Sequence, residues 1–182
     1  MAISSGVTEL VIFVGGIHGV GKTTFCQQLA IQTAMKHRTV SDIIKEELVA
    51  HDLGSNKISE HLANNQHALI NWLDKNTARN RLILDGHFTL LNKAQDIYRV
   101  ELDVFEKIGP GGLICLDSPI NLIQTRLKQR DNQVWSTEMI KKMADAERSW
   151  AESVGEKLNI PLCILSSFDV LSAKRFVNKL ME

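Results

Sequence analysis

The stretch that decides the fold is residues 16–23, which read Gly16-Ile17-His18-Gly19-Val20-Gly21-Lys22-Thr23. The continuous apolar run before it, residues 10–14, is typical of a strand that is buried on both faces. The segment after it, residues 22–34, has the pattern of a helix. A glycine-rich turn between a buried strand and a helix is typical of alternating α/β folds, so we expect a parallel sheet.

The spacing of glycine, lysine and threonine in this stretch matches the phosphate-binding pattern G-x-x-x-x-G-K-[ST]. Glycines let the backbone fold tightly, so that successive N–H groups point at an anion, and the positive end of the next helix strengthens the attraction. We expect Lys22 to reach the β- and γ-phosphates of a nucleotide and the Thr23 hydroxyl to coordinate Mg²⁺. The remaining candidate nucleotide-binding residues of the loop are Gly16, His18, Gly19, Val20, Gly21 and Thr24.

Strands and helices are predicted to alternate along the rest of the chain. Short apolar segments predict further strands at residues 38–40, 82–84, 113–116 and 161–165. Helical patterns cover residues 42–50, 58–75, 119–130, 137–158 and 170–180. Asp169 is the expected N-cap of the last helix. This alternation predicts one doubly wound α/β domain over residues 1–182, with its ligand beyond the carboxyl ends of the strands.

Composition and charge restrict the partners only weakly. The 21 basic and 21 acidic side chains cancel, so nothing global favours nucleic acid as a partner. No apolar run approaches the length of a membrane span, and residues 1–8 lack the features of a signal peptide. The three cysteines are widely spaced in apolar stretches with no CxxC pair, which is typical of buried free thiols in a reducing compartment and not of a disulfide framework or a zinc site. We therefore expect a cytoplasmic protein without a membrane partner.

A second candidate feature follows the strand at residues 82–84, where the chain continues as Asp85-Gly86-His87-Phe88. A carboxylate at the end of a buried strand beside the phosphate loop is well placed to bind Mg²⁺ through water or to orient an attacking oxygen. Such residues also cap helices, which is the alternative for Asp85. His87 either contacts an acceptor or satisfies the loop backbone, and His18 is either a contact or a spacer. We assign Asp85 as a candidate catalytic and metal-binding residue.

Arginines on the helix at residues 119–130 form a third candidate feature. Arg126 and Arg130 are four residues apart, which puts both guanidinium groups on one helix face. Phosphoryl transfer builds negative charge that positioned cations must offset, whereas the alternative is a solvated helix face. We assign both as candidate catalytic residues, and Arg126 also as a nucleotide-binding residue. Glu147 and Arg148 are a weaker candidate for bringing another arginine to the phosphates.

The region between the second and third predicted strands contains polar candidates for holding an acceptor. Asp42 and Lys45 lie at the start of one helix, and Asn65 and Gln66 lie in the middle of the next. The two amides either read the edge of a base or face solvent. Trp135 differs from the other tryptophans, which we expect to be packing residues, because it lies in a polar stretch where a lid could close.

Taken together, these positions resemble the P-loop nucleoside and nucleotide kinases, including adenylate kinase and its short-lid relatives. Residues 16–24 are similar to the opening loop of that family, and Ser41-Asp42-Ile43-Ile44-Lys45 resembles the start of its monophosphate-binding region. Residues 84–88 resemble its D-G-x-x strand end, and residues 126–131 its R-x-x-x-R lid entry. The likeness runs over nearly the whole chain, but only the first motif is specific.

The resemblance implies a three-layer α/β/α P-loop fold whose five parallel strands lie in the order 2-3-1-4-5. It implies ATP and Mg²⁺ as ligands, acceptor-binding helices at about residues 42–76 and a short lid at about residues 126–137. The implied acceptor is a small molecule, in the first hypothesis a nucleoside monophosphate. By the same resemblance, Arg126 would flank the adenine, Arg130 the transferring phosphates, and Asp85 the junction between metal and acceptor.

Departures from the family pattern keep other functions open. Adenylate kinases usually have arginine at the position of Lys45, and their D-G-F-P-R loop has arginine where this chain has Thr89. The segment between Arg130 and Thr137 is also too short for a large lid. One alternative is an ATP-dependent switch acting on a protein or RNA partner, and another is a kinase of a non-nucleotide metabolite. The chain has no clear N/T-K-x-D base-reading motif, which disfavours a GTPase.

Overall fold

A five-stranded parallel sheet forms the middle of the molecule in the computed structural model, which describes residues 9–50, 62–76, 81–92, 94–131 and 134–182. The strands are β1 (Val11–Gly15), β2 (Lys36–Thr39), β3 (Leu82–Asp85), β4 (Thr89–Leu91), β5 (Ile97–Arg99), β6 (Gly112–Asp117) and β7 (Leu162–Ser166). The helices are α1 (Lys22–Thr33), α2 (Val40–Ala50), α3 (Leu62–Lys75), α4 (Leu102–Ile108), α5 (Ile120–Asp131), α6 (Thr137–Leu158) and α7 (Val170–Met181).

The order of strands in the sheet is β2-β3-β1-β6-β7, and every neighbouring pair is parallel. This is the predicted order 2-3-1-4-5 once β4 and β5 are set aside, since these two strands pair only with each other as an antiparallel hairpin. The predicted fold class is therefore confirmed. Because all five strands are parallel, their carboxyl ends meet at one edge, where the loop after β1 and the end of β3 lie side by side.

Side chains of the central strand divide the core into two parts. All five residues of β1 are buried, because helices cover the sheet on both faces. Alternate residues point to opposite faces of a strand. Ile12 and Val14 accordingly pack in one cluster with residues of α1 and α7, whereas Val11 and Phe13 pack in the other with residues of α3, α4 and α6.

Several boundaries and two connections differ from the predictions. Strand β2 begins two residues earlier than predicted, and Val40, expected in the strand, begins α2. The β4–β5 hairpin and α4 were not predicted, since three-residue strands and a seven-residue helix are too short for a clear periodicity. Residues 58–61 of the predicted helix over 58–75 lie outside the described residues, and 62–75 are helical. The Asp169 side chain caps α7 by accepting a hydrogen bond from Ser172 N at 3.0 Å, as predicted.

Three phenylalanines pack the end of β1 against the chain that follows β3. The Phe88 ring lies 5.0 Å from that of Phe13 and 5.5 Å from that of Phe105, measured between centroids. Phe88 is fully buried, and a Cβ atom added at Gly15 would lie 2.3 Å from its Cδ2. Only a residue without a Cβ therefore fits at the end of β1, immediately before the phosphate-binding loop.

We expect Gly15→Ala to lower the free energy of unfolding by about 1–3 kcal/mol, the usual range for overpacking a well-filled core. Urea denaturation measures the loss. The Phe88→Leu background is the control, because a smaller side chain leaves room for the added methyl group. In that background, Gly15→Ala should lower the free energy of unfolding much less. An equal loss in both backgrounds would show that the contact with Phe88 is not the cause.

Candidate active site

The loop between β1 and α1 takes the tight conformation that its glycines allow. Gly19 has φ +79° and Gly21, the N-cap of α1, has φ +104°, conformations that residues with a Cβ rarely adopt. A Cβ at Gly21 would also lie 2.9 Å from Nη1 of Arg126. Glycine is thus favoured at both positions for steric reasons. The N-terminal end of α1 is left open for an anion.

Lys22, the first residue of α1, turns its side chain back across the loop. Its ammonium donates to the carbonyl oxygen of Gly16 at 2.6 Å and lies 3.4 Å from Nε2 of His87. Burial lowers the pKa of Lys22, while the negative charges of Asp85 and Glu147 act in the opposite direction. The negative charges of two carboxylates thus partly offset the effect of burial on this cation.

Asp85 ends β3 beside the loop, where it meets the next residue of α1. Its side chain is almost fully buried, and its Oδ2 accepts a hydrogen bond from the Thr23 hydroxyl at 3.1 Å. The parallel register of β1 and β3, which pairs Val14 with Asp85, sets the two groups side by side. A hydroxyl and a carboxylate oxygen at this spacing form a hard donor set that fits Mg²⁺.

His87 adds a neutral group beside the lysine. Burial, the charge of Lys22 and the neighbouring His18 hold the pKa of His87 well below its ordinary value, so the imidazole is neutral at neutral pH. Since an ammonium only donates, Nε2 of His87 is the acceptor in their contact, and the ring proton lies on Nδ1. The His18 and His87 rings lie 4.2 Å apart between centroids.

The two arginines of α5 both face the loop. Arg126 donates from Nη1 to the carbonyl oxygens of Val20 at 2.7 Å and Gly19 at 3.2 Å, and its guanidinium carbon lies 5.7 Å from the centroid of the Phe168 ring. Arg130, one turn further, is close enough for its charge to lower the pKa of both Lys22 and His87. The i, i+4 spacing thus places both guanidinium groups on the loop side of α5.

These groups surround a pocket of about 870 Å³ that extends from the loop to α2, α3 and α4. The sequence-predicted residues in its lining are His18, Gly19, Gly21, Lys22, Thr23, Thr24, Asp85, Arg126 and Arg130. Gly16 and Val20 contribute carbonyl acceptors behind the lining. Of the acceptor candidates, Lys45, Asn65 and Gln66 line the pocket, whereas Asp42 does not and pairs with Lys45 at 3.7 Å.

The far wall of the pocket was not predicted from the sequence. It is apolar and comes from the chain after β5 and from α4, with Val100, Val104, Phe105 and Ile108. The available signal was the spacing of Val104, Phe105 and Ile108, which is that of a helix face, although it spans only two turns. The pocket therefore has a cationic half at the loop and a largely apolar half at α4.

Glu147 of α6 has a structural role that was not predicted from the sequence. It is only 1% exposed, and its carboxylate accepts from Gly16 N and Phe88 N, each at 2.8 Å, and from the Thr89 N–H at 2.7 Å and hydroxyl at 2.6 Å. Burial raises the pKa of Glu147, opposed by the bonds from Thr89 and Phe88 and by the charge of Lys22. Arg148, its neighbour, points elsewhere and pairs with Asp117 at 2.9 Å.

The lid prediction covers residues that the structure describes only in part, because residues 132 and 133 lie outside the described ranges. Trp135 is partly buried and packs against the core cluster that contains Ile12 and Val14. Gln124 of α5 donates to the Trp135 carbonyl oxygen at 3.1 Å, which fixes this segment to α5. Among the described residues, no helix is both long enough and apolar enough to cross a membrane.

Comparison with known proteins places the chain in a family. Residues 15–142 match the family described as AAA domain, and this match spans more than half of the sequence. The chain therefore belongs to the AAA domain family. No curated protein matches its sequence.

Solved structures identify the fold as that of P-loop kinases. A shikimate kinase from Acinetobacter baumannii, solved in complex with shikimate, is 16% identical with a TM-score of 0.62, covering 96% of this chain and 93% of that one. A gluconokinase from Sinorhizobium meliloti 1021 is 10% identical with a TM-score of 0.51, covering 92% and 88%. At these identities the likeness establishes the fold.

We expect Glu147→Ala to lower the free energy of unfolding by about 3–5 kcal/mol, because it leaves four converging donors without their acceptor. Urea denaturation measures the loss. The control is Glu152→Ala, which removes an exposed carboxylate from the same helix and should change stability by less than about 0.5 kcal/mol. Similar losses for both variants would mean that Glu147 has no special role in holding the loop.

Proposed function

We propose that this protein is an ATP-dependent kinase that transfers the γ-phosphoryl group of ATP to a small acceptor. The observation that carries the proposal is the continuity of one pocket from the phosphate-binding loop to α4. Its volume of about 870 Å³ is near the upper end of the range for small-molecule sites, about 300–1,000 Å³, which suits two substrates side by side. The P-loop kinase fold of the neighbours supports the same reading.

In this proposal, ATP binds with its phosphates on the loop and the acceptor binds between α2, α3 and α4. The acceptor oxygen forms a bond to the γ-phosphorus while the bond from that phosphorus to the β–γ bridging oxygen breaks, and ADP leaves. Lys22, Arg126 and Arg130 offset the negative charge on the transferred group and on the departing ADP. The bonds from Arg126 to the loop carbonyls support a fixed position for its charge.

Thr23 and Asp85 would hold Mg²⁺, for which their oxygen donors are suited, Asp85 through water. When bound, the ion would supply positive charge that offsets the negative charge of the phosphates. Asp85 also lines the pocket, so its carboxylate is available to orient the attacking oxygen of the acceptor. The neutral state of His87 leaves Lys22 as the cation that reaches toward the phosphates at this point.

The acceptor in the first hypothesis is a nucleoside monophosphate. Asn65 and Gln66 line the pocket and offer amides that pair with a base edge, and Phe105 offers an apolar surface for a ring. Lys45 also lines the pocket and is the nearest counterpart of a monophosphate-binding arginine, although it cannot form a bidentate clamp. The helices at residues 42–76 would then form the acceptor region, and residues 126–137 a short lid over the ATP.

A non-nucleotide metabolite is the second candidate acceptor. The fold likeness includes a kinase of shikimate and a gluconokinase, neither of which is named for a nucleotide acceptor. A hydroxylated metabolite would use the same phosphate loop and the same hydroxyl-orienting position of Asp85. We also propose a cytoplasmic location, supported by the free thiols of Cys26, Cys115 and Cys163, of which the first two are buried.

The direct test of the kinase is formation of ADP from ATP and Mg²⁺ with each nucleoside monophosphate in turn, and then with hydroxylated metabolites. One acceptor should stimulate turnover and appear as its phosphorylated product. Lys22→Ala is the control, and it should abolish this turnover because the loop loses its central cation. Wild-type activity in Lys22→Ala would refute the phosphate site, and turnover that no acceptor changes would favour an ATP-driven switch.

Asp85→Asn should lower kcat by about 100-fold or more while changing ATP affinity much less, since its charge acts on the metal and the acceptor during transfer. Steady-state kinetics give kcat, and fluorescence titration with an ATP analogue gives the affinity. Asp117→Asn is a matched control, because Asp117 also ends a strand of the sheet, β6, but pairs with Arg148 outside the pocket lining. An unchanged kcat in Asp85→Asn would remove Asp85 from the mechanism.

A further inference from the structure

Three different metal-binding side chains meet behind the phosphate loop. Cys26 of α1, His37 of β2 and Asp85 of β3 each offer one ligand atom, and these atoms lie within 4.8 Å of one another. Cys26 is fully buried and Asp85 nearly so, while the His37 side chain is 13% exposed. The three come from three separate elements, so the arrangement is a product of the tertiary fold.

Of these three residues, His37 has a buried polar atom that no hydrogen bond explains. Its Nε2 atom is buried and has no hydrogen-bond partner within the described ranges. It lies 3.7 Å from Oδ2 of Asp85, which is too long for a hydrogen bond. A buried polar atom without a partner is uncommon in proteins and often marks a missing ligand. An ion between the imidazole and the carboxylate would satisfy both atoms.

The chemistry of the three ligands selects the ion. A thiolate, an imidazole and a carboxylate oxygen are the ordinary ligands of Zn²⁺, whereas Mg²⁺ prefers oxygen alone. Zinc–ligand bonds of about 2.0–2.3 Å place tetrahedral ligands roughly 3.3–3.8 Å apart. The 3.7 Å between His37 and Asp85 is within that range, and the remaining separations, all within 4.8 Å, need a contraction of at most about 1 Å.

We propose that Cys26, His37 and Asp85 bind Zn²⁺, and that this binding inhibits phosphoryl transfer by taking Asp85 away from its role beside Thr23. The zinc site stands on its own geometry, and only its inhibitory effect rests on the proposed kinase function. The thiol of Cys26 releases its proton to solvent when the metal binds. The fourth zinc position is left for water or for the Thr23 hydroxyl.

Competition between the two uses of Asp85 follows from a shared atom. Oδ2 accepts the hydrogen bond from the Thr23 hydroxyl and is also the oxygen that faces His37. Zinc bound to this oxygen withdraws its charge from the loop side, where Mg²⁺ would require it. Zinc therefore inhibits when Mg²⁺ is not in large excess, and a chelator restores the activity.

The binding test titrates metal-free protein with Co²⁺, because a cobalt–thiolate bond gives a charge-transfer absorption band in the near ultraviolet. The wild-type protein should bind one Co²⁺ with this band, and Zn²⁺ should displace it. The band should disappear in Cys26→Ser and in His37→Asn, and it should persist in Cys115→Ser, which changes a buried cysteine outside the cluster. No band in the wild-type protein, or a band that survives Cys26→Ser, overturns the site.

The inhibition test compares turnover with and without Zn²⁺ at constant ATP and at a constant Mg²⁺ concentration below saturation. Zinc should inhibit the wild-type protein at least about tenfold more strongly than Cys26→Ser, since even outer-shell partners of a metal are worth that much in affinity. Equal inhibition of both proteins overturns the inhibitory role. If no acceptor supports turnover, the kinase proposal fails, while the cobalt spectra still decide whether the metal site exists.

Discussion

The carboxylate of Glu147 joins α6 to the first residue of the phosphate loop, Gly16, and to the chain after β3 at Phe88 and Thr89. A buried carboxylate is stable only when its lone pairs are used, and here four donors converge on two oxygens. An amide would present an N–H₂ group to some of these donors, so only an ionised carboxylate accepts all four. This contact sets the distance between the loop and the β3 end, and therefore the positions of Lys22, His87 and Asp85.

The same carboxylate shapes the charge at the centre of the site. Burial and the charge of Arg130 lower the pKa of Lys22, and the negative charges of Asp85 and Glu147 act against that lowering. His87 contributes no positive charge, because its burial and Lys22 itself keep it neutral. Arg126 near the loop has fixed partners, because it donates to the Gly19 and Val20 carbonyl oxygens. A polyanion entering the loop meets cations that are already oriented, which is the condition for electrostatic stabilisation of transferring phosphate.

The features that the sequence predicts depend mostly on residues close together in the chain, whereas those that it does not predict depend on residues far apart. The phosphate loop and its strand and helix are local, so spacing and periodicity alone indicate them. The alternation of elements indicates a parallel sheet, whereas the strand order came from the resemblance to the P-loop nucleoside and nucleotide kinases. Asp85 could be identified because a parallel sheet brings strand ends to one edge. Glu147 contacts Gly16 across 131 residues, and no local pattern encodes that contact. Its one signal was a carboxylate at a position where the buried face of α6, with Met143 and Trp150, should be apolar. The position of His37, whose buried Nε2 atom has no hydrogen-bond partner within the described ranges, likewise depends on three separate elements.

The two halves of the pocket are constrained to different degrees. Phosphate binding prescribes the residues of the loop half, since backbone geometry demands Gly19 and Gly21, and charge demands Lys22. The acceptor half is formed by apolar side chains of α4 and by the amides of α3, which many different substrates could use. Structural relatives at 10–16% identity can therefore share the loop and the sheet while differing in this half. In the proposed kinase, the fold therefore predicts the binding of the phosphate donor, whereas the acceptor depends on the particular side chains opposite the loop.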